Sequence, residues 1–334
     1  MDSTADMDQF AQRGQSSNSK APPIASGARL VLGTAQLAAP YGSAIQVSPP
    51  DTGEATQLVR MAIQYGALAV DTGRAYPGAE EALNVALANG WGSRVKVVTK
   101  LSPLNDLTAS TTPEQAAVAA EASVRRSLDA LGFPNPWLLL HRAEHLKAWD
   151  GAVWARLKML KKDGLVAGLG VSVQSPDEAL TAAGDPAVEL IQLPFNLLDW
   201  RWRQAGVPSV LGQRPDLEVH VRSAYLQGVL LRDIHQWPLI EGLEPDAVVE
   251  AMHNLVRVLQ RESVADLCLA YVRAKPWIDG VVVGMERLAQ LEENAALFSN
   301  PPLNQEEIEL TEESMPVVPT ALLDPSQWPP LTPI

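Results

Sequence analysis

The chain has 334 residues, of which 46% are hydrophobic and 19% are charged, so it can bury a large core as one big domain or two ordinary ones. Its formal net charge of −13, and the lack of any Lys/Arg run interleaved with aromatic residues, argue against nucleic acid as a partner. The single cysteine, Cys268, excludes an intrachain disulfide and a cysteine-based metal site.

The two ends of the chain differ in composition from its middle. Residues 1–27 are small and polar and residues 300–334 are rich in proline, which predicts a disordered N-terminal segment and a C-terminal tail on either side of one domain at 28–299. The first residues lack the basic and apolar regions of a secretory signal, and no stretch holds about 18 uninterrupted apolar residues. We therefore expect a cytoplasmic protein without a membrane segment.

Short apolar runs alternate with segments of helical period from Leu30 onward. The run RLVLGTAQ predicts a strand, and EATQLVRMAIQYG predicts a helix that ends at Gly66. Two further strands are predicted at ALAVDTG and VKVVTKL, and Thr112, Pro113 and Gln115 open the next helix as cap, first residue and capping-box partner. The remaining predicted strands are PWLLLHR, VAGLGVSV, VELIQLPFN, EVHVRSAY and IDGVVVGM.

The order of these elements indicates the fold class. Each predicted strand is followed by a helix or a helix-length segment, although the Trp- and Arg-rich segment after the sixth strand has no clear assignment. Continuous apolar strands separated by helices are typical of parallel sheets, and eight such units predict a closed (β/α)8 TIM barrel. A doubly wound open sheet is the alternative, which the lack of G-x-G-x-x-G after the first strand weakens.

Polar side chains stand at the ends of most predicted strands, where a barrel places its chemistry. Each alone is more often a turn former or a solvated rim residue, but three titratable residues of complementary type on three successive strands indicate a site. Because neighbouring strands lie ~4.8 Å apart, the Lys100 ammonium is predicted to meet the Asp71 carboxylate, which is otherwise costly to bury. The strand-end set is Asp71, Lys100, His141, Ser172, Gln192, Asn196, Arg222 and Ser223.

Tyr76 lies five positions after Asp71, in a Gly/Pro turn. A nearby ammonium favours the phenolate and lowers the pKa of a phenol, so Lys100 would tune Tyr76 and Asp71 would hold Lys100. His141 could donate a hydrogen bond to a substrate oxygen and orient it beside the Tyr76 hydroxyl. The four residues together suit proton delivery to a carbonyl oxygen, and because no side chain supplies hydride, a nicotinamide cofactor is implied.

Six segments in chain order resemble the signatures of the aldo-keto reductases across residues 29–298. They are DTGRAYPGAEEAL, VVTKL, LLLHR, GLGVSV, IQLPFN and VVVGMERLAQLEENAALF. The resemblance implies a (β/α)8 barrel that binds NADPH or NADH in an extended pose without a Rossmann domain and reduces aldehydes or ketones to alcohols, or runs the reverse. It also implies a monomer, and a catalytic tetrad of Asp71, Tyr76, Lys100 and His141.

The resemblance implies cofactor contacts at three further strand ends. Ser172 and Gln192 correspond to residues that bind the nicotinamide carboxamide, although Val173 replaces the asparagine of the family's motif. Arg222 stands where many members place an aromatic ring against the nicotinamide, and the planar guanidinium of Arg222 could stack on the nicotinamide instead. Ser223 matches the serine near the pyrophosphate.

The segment GMERLAQLEEN holds the remaining cofactor positions that the resemblance implies. Glu286 and Gln290 occupy two positions where members often place a base against the 2′-phosphate, and Arg287 is the only base nearby. Because a carboxylate repels a 2′-phosphate, NADPH is the cofactor expected from the family and NADH is its rival. The assigned contacts are Gly284 and Met285 at the pyrophosphate-to-ribose turn, Arg287 and Gln290 near the 2′-phosphate, and Asn294 at the adenine.

These residues are compatible with three functions. The first is an oxidoreductase for a small carbonyl substrate, with a sugar or hydroxy-aldehyde slightly favoured by the segments GTAQ and RSAYLQG. The second is a cofactor-binding regulatory protein with little turnover, against which an intact tetrad argues. The third is an unrelated barrel lyase that uses Lys100 as a Schiff-base amine.

Several other features are predicted to be structural. Cys268 lies on an apolar helix face and is expected to be a buried, inert thiol. The spacing in HRAEH does not match a metal-binding helix, and no metal site is expected. Trp200 and Trp202 either line a substrate mouth or cap the barrel, and the glutamates of NQEEIELTEES are expected to form a solvated face.

Overall fold

The computed structural model describes residues 27–39, 48–108 and 110–329. The predicted disordered segment at 1–27, apart from Gly27, lies outside the described residues, as do residues 330–334 of the predicted tail. Part of the loop after the first strand, residues 40–47, lies outside them as well.

Eight parallel strands close into a barrel in chain order, with β8 hydrogen-bonded to β1. The predicted (β/α)8 barrel is therefore confirmed, and the open-sheet alternative is wrong. All eight strands are short, and the first six of them have at most one residue that is not buried. They are β1 (Arg29–Gly33), β2 (Ala69–Asp71), β3 (Lys96–Lys100), β4 (Trp137–Leu140), β5 (Gly168–Ser172), β6 (Leu190–Pro194), β7 (Glu218–Arg222) and β8 (Gly280–Gly284).

Helices cover the outside of the barrel. Those of the first half are α1 (Thr52–Gln64), α2 (Ala79–Leu87), α3 (Pro113–Leu131), α4 (Ala152–Lys162) and α5 (Pro176–Ala183). The Trp- and Arg-rich segment forms two short helices, α6 (Arg201–Gln204) and α7 (Val207–Gly212). After these come α8 (Pro245–Val258), α9 (Val264–Arg273), α10 (Leu288–Ser299) and α11 (Gln305–Ser314).

Local sequence signals explain where several helices begin. The Thr112 hydroxyl accepts a hydrogen bond from the Gln115 backbone N–H, and the Gln115 side-chain oxygen accepts one from the Thr112 backbone N–H, so the predicted capping box of α3 is confirmed. Asp51 and Glu54 form the same arrangement at α1. No helix in the described parts of the chain is both long and apolar enough to cross a membrane.

The apolar core has two layers. A small inner cluster fills the barrel with Val31, Ala69, Val98, Leu139 and Leu190, and a larger one lies between the strands and the helices. Charged residues lie at the amino-terminal end of the barrel, where Lys96 of β3 pairs with Glu218 of β7 and Glu218 bonds to the buried His220. The opposite end carries the predicted site.

Candidate active site

The buried Asp71 carboxylate lies at the carboxyl end of β2 and accepts hydrogen bonds on both oxygens. Lys100 Nζ lies 2.6 Å from Asp71 Oδ2 and also donates to the Thr72 carbonyl at 2.9 Å. Gln192 Nε2 donates to Asp71 Oδ1 at 2.7 Å. The predicted contact between Asp71 and Lys100 is therefore present, and it compensates the burial of both charges, whose side chains are only 5% and 2% exposed.

Tyr76 and His141 lie beside this ion pair. Lys100 Nζ lies 5.2 Å from the centroid of the Tyr76 ring, and the Tyr76 and His141 rings approach edge to face with centroids 6.3 Å apart. The structure thus brings the four predicted catalytic residues together from the ends of β2, β3 and β4, although they are separated along the chain.

The turn that carries Tyr76 is held by a buried carboxylate that the sequence did not reveal. Glu80, 1% exposed, accepts from Arg74 Nη1 at 2.6 Å and from Thr99 Oγ1 at 2.6 Å. Because Arg74 belongs to the turn and Thr99 to β3, Glu80 fixes the Tyr76 turn against the strand that bears Lys100. In the sequence, Glu80 reads as an ordinary first-turn glutamate of α2.

His141 lies in an environment that disfavours its positive charge. Burial is the largest cause that lowers its pKa to about 4, the charges of Lys100, Arg222 and Arg142 act in the same direction, and Asp71 has a smaller opposing effect. The ring is therefore neutral near pH 7, and its Nδ1 is buried without a hydrogen-bond partner. A neutral imidazole has one N–H, with which it can donate one hydrogen bond. It lacks the second proton of the imidazolium, which is the one a histidine transfers as an acid.

The predicted nicotinamide contacts lie on consecutive strands. Ser172 ends β5 and pairs in register with Gln192 of β6, and Arg222 ends β7. Arg222 Nη2 donates to the Val173 carbonyl at 3.3 Å, so it extends across to the position where the family's asparagine is missing. Gln192, assigned from the resemblance to the carboxamide, uses its amide nitrogen on Asp71, which leaves its oxygen as the group for that contact. Ser223 adopts the left-handed backbone region with φ 63°.

The segment after β8 forms a compact set of hydrogen bonds at the start of α10. Gln290 Oε1 accepts from the backbone N–H groups of Glu286 and Arg287 at 2.8 and 3.1 Å, and Gln290 Nε2 donates to the Glu286 carboxylate at 3.1 Å. Met285 is fully buried, so it is not accessible to a ligand in this conformation. Gly284 precedes it at the end of β8.

Asn294 links α10 to the loop after β7. Its side-chain oxygen accepts from the Tyr225 hydroxyl at 3.1 Å, and its nitrogen donates to the Gln290 carbonyl at 2.7 Å. Tyr225 thus joins the two segments assigned to the cofactor, a role for which the sequence offered no signal beyond its place in the run RSAYLQG.

Comparison with known proteins identifies the family. A family model described as the Aldo/keto reductase family matches residues 29–315. The chain belongs to the aldo-keto reductase family. The predicted resemblance is therefore confirmed, and the match extends beyond the last strand to α11.

Solved structures show the same fold in other aldo-keto reductases. The aldo-keto reductase AKR11C1 from Bacillus halodurans in its holo form aligns with a TM-score of 0.67 at 18% identity over 87% of this chain and 93% of that chain. The thermostable aldo-keto reductase Tm1743, in complex with the inhibitor epalrestat, aligns with a TM-score of 0.62 at 18% identity over 85% of this chain and 94% of that chain. A search of curated proteins found no matching sequence.

In the aldo-keto reductase barrel of this chain, the Trp- and Arg-rich segment after β6 is covered by residues of the C-terminal tail. Trp200 Nε1 donates to the Val318 carbonyl at 3.2 Å. Trp202 is fully buried and donates to Asp199 Oδ2 at 2.9 Å. The two tryptophans therefore serve packing under the tail rather than an open mouth. The Asn196 side chain stabilises the turn that contains it, because its oxygen accepts a hydrogen bond from the Leu198 backbone N–H.

Two features predicted to be structural also lie in packed surroundings. Cys268 is fully buried on α9, and burial raises the pKa of its thiol, so it is the inert thiol that was predicted. His145 of the HRAEH segment is buried in a 3₁₀ turn. Within the described ranges, no three His, Cys, Asp or Glu side chains are arranged to hold a metal ion.

Proposed function

We propose that this chain is a nicotinamide-dependent oxidoreductase that reduces an aldehyde or ketone to an alcohol, or runs the reverse, with Tyr76 as general acid and base. The observation that carries the proposal is the arrangement at the carboxyl ends of β2 to β4. There a buried Asp71–Lys100 ion pair lies under the Tyr76 ring, and His141 stands beside it.

The side chains supply proton transfer and orientation. When bound, the nicotinamide would supply or accept the hydride. The Lys100 ammonium favours the phenolate form of Tyr76 when the phenol gives up its proton, and Asp71 and the Thr72 carbonyl fix that ammonium in place. Neutral His141 donates to the substrate oxygen and orients it toward the Tyr76 hydroxyl. In the oxidative direction Tyr76 takes the proton back.

The residues on β5 to β8 suit a dinucleotide by their chemistry. Ser172, the Gln192 oxygen and Arg222 offer polar and planar groups toward a nicotinamide at three adjacent strand ends. Ser223 and the backbone at Gly284 would hold the pyrophosphate, while Asn294 would hold the adenine. This donor set fits the family's cofactor, whereas Met285, also assigned to it from the resemblance, is fully buried.

The expected NADPH preference is opposed by the arrangement at α10. The Glu286 carboxylate is held in place by Gln290, and Gln290 also occupies two backbone N–H groups that a phosphate would otherwise use. Arg287 is exposed, and it is the remaining basic residue near the position expected for the 2′-phosphate. These contacts support NADH as the preferred cofactor, whereas the family resemblance supports NADPH.

The contacts of Lys100 bear on the two alternative functions. Both contacts use the amine as a donor, as a charged ammonium does, whereas imine formation needs a neutral amine. This arrangement argues against a Schiff-base lyase. A regulatory protein with little turnover would have no chemical need for the assembled tetrad, so catalysis is preferred. The sugar or hydroxy-aldehyde substrate, the monomeric state and the cytoplasmic location stay predictions.

The first test compares wild-type protein with Tyr76→Phe. Tryptophan fluorescence is titrated with NADPH and with NADH, and turnover is measured on a panel of aldehydes and sugars with the cofactor that binds. Because the substitution removes only the proton-transferring hydroxyl, we expect loss of turnover by at least about a hundredfold with nearly unchanged cofactor affinity. An equal loss of cofactor binding in Tyr76→Phe would contradict the assigned role, and binding of neither cofactor to the wild type would contradict the proposed function itself.

A further inference from the structure

The Arg222 side chain extends across the carboxyl end of the barrel. Arg222 ends β7, where it pairs in register with Pro194 of β6, and its Nη2 donates to the Val173 carbonyl at 3.3 Å. Val173 directly follows β5. Because neighbouring strands lie ~4.8 Å apart, the side chain spans the end of β6 to reach β5. The half-buried guanidinium therefore lies at the strand ends that carry Ser172 and Gln192.

The positive charge of Arg222 also acts on the catalytic residues. Burial is the largest cause of the low pKa of His141, and the charges of Lys100 and Arg222 are the next two. The Lys100 charge is compensated by Asp71 at 2.6 Å. The field of Arg222 thus extends over the end of the barrel from β7 to the loop after β4. This positive field is local, because the chain as a whole has a net charge of −13.

The ring of a bound nicotinamide would lie in this field. Hydride passes directly from the ring to the carbonyl carbon, so the ring and the substrate carbonyl must be in contact. In the proposed function, on which this step rests, the carbonyl oxygen is held by Tyr76 and His141. The carboxamide of the ring is held by Ser172 and Gln192. Both requirements place the ring beside the Arg222 guanidinium.

The two redox states of the cofactor differ in charge at this ring. The reduced ring is neutral, the oxidised ring is a pyridinium with one positive charge, and the pyrophosphate and adenosine are the same in both. A neighbouring cation repels the pyridinium, whereas a planar guanidinium can stack on the neutral ring. The ratio of the two affinities therefore isolates the contact at the ring, because the contributions of the shared parts cancel.

We propose that Arg222 makes this site selective for the reduced form of the cofactor. The oxidised cofactor binds weakly, because its ring meets a like charge, and it therefore inhibits carbonyl reduction little as a product. An uncharged side chain at the end of β7 would not discriminate in this way. The inference deepens the proposed function by naming the redox state that the site prefers and the residue that sets the preference.

The test compares the two redox states on the full chain by isothermal titration calorimetry, without substrate. The probes are NADH and NAD⁺, followed by NADPH and NADP⁺. We expect the wild type to bind the reduced form about tenfold more tightly. The ratio should fall between about 50 and about 500 mM salt, because Arg222 is partly solvated and its charge is screened.

The outcomes of this titration separate the inference from the proposed function. If the wild type binds the oxidised form as tightly as the reduced form, the selectivity is refuted while cofactor binding stands. If neither form of either cofactor binds, the proposed function itself fails. The wild-type ratio and its dependence on salt decide the matter even where a variant at position 222 does not fold.

Variants assign the selectivity to the charge of Arg222. Arg222→Gln keeps a planar amide that can donate to the Val173 carbonyl but removes the charge, and we expect the affinity ratio to fall about fivefold through tighter binding of the oxidised form. Arg222→Lys keeps the charge and should keep most of the ratio. The matched control is Arg125→Gln on α3, where the side chain is 60% exposed. An unchanged ratio in Arg222→Gln, or an equal fall in Arg222→Lys or Arg125→Gln, would overturn the proposal.

Discussion

At the scale of single residues, the Asp71 carboxylate depends on Lys100. Lys100→Met removes the ammonium and leaves a buried carboxylate with only the Gln192 amide, so we expect the free energy of unfolding to fall by roughly 3–5 kcal/mol. Turnover should fall as well, and its pH profile should shift, because the proposed work of Lys100 is to favour the Tyr76 phenolate. Urea denaturation and the pH dependence of kcat measure the two effects.

The double variant Asp71→Asn/Lys100→Met separates these two effects. With the carboxylate replaced by a neutral amide, no unpaired charge stays buried, so most of the lost stability should return while activity does not. If activity returned together with stability, Lys100 would have only a structural role.

His141 makes stability depend on pH. Its pKa is about 4 in the folded protein, against an ordinary value of 6.5, so the unfolded chain binds the proton first as the pH falls. The free energy of unfolding is therefore unaffected by His141 protonation above pH 6.5. As the pH falls from 6.5 to 4, protonation of the unfolded chain lowers that free energy by up to roughly 3 kcal/mol. His141→Gln should flatten the unfolding free energy over that window, and chemical denaturation at several pH values tests this. His253→Gln, at an exposed position, should leave the slope as in the wild type.

At the scale of elements, the start of α10 bears on the proposed cofactor preference. Glu286→Ala removes the carboxylate near the expected 2′-phosphate, so we expect the affinity for NADPH to rise about fivefold relative to NADH, or ~1 kcal/mol. Fluorescence titration with each cofactor gives the ratio. Glu293→Ala changes the net charge equally from an exposed position of the same helix, and an equal shift in that variant would remove the local explanation.

Glu312 joins helix α11 to the barrel through three polar contacts. Glu312 accepts from Lys275 Nζ at 2.7 Å and from the Tyr271 hydroxyl at 2.9 Å, and it pairs with Arg203 at 2.5 Å. Burial lowers the pKa of Lys275, and the hydrogen bond and charge of Glu312 oppose that effect. Glu312→Ala should lower the unfolding free energy by about 2 kcal/mol, measured by urea denaturation. The exposed neighbour Glu313→Ala should change it little, and equal losses in the two variants would mean that the contacts of Glu312 contribute nothing.

At the scale of the whole molecule, much of the fold follows from the period of the sequence. The five-residue strands around Val31, Val98 and Val171 have buried apolar residues at their centres, as strands covered on both faces do, and α1 and α3 between them carry capping boxes. Once the strands close in chain order, the ends of β2, β3 and β4 are neighbours. The contact of Asp71 with Lys100 then follows from strand spacing alone.

The remainder depends on contacts between distant parts of the chain. Gln192 lies 121 positions from Asp71, and its amide bond to the carboxylate cannot be read from either segment. The glutamates of NQEEIELTEES were predicted to be solvated, which is wrong for Glu312, because its partners are Tyr271 in α9, Lys275 just after α9 and Arg203 in α6. Helical period identifies an amphipathic face, but it does not identify which other segment that face meets.

The contacts of Glu312 also bear on the order in which the protein is made. Lys275 precedes β8, whereas its partner Glu312 lies in α11, which follows both β8 and α10. A ribosome therefore completes every strand before the carboxylate leaves it, and until then the buried lysine has no counter-charge from that helix. The barrel therefore receives stabilising contacts from residues that are made after its last strand, so the sheet can close during synthesis before those contacts are complete.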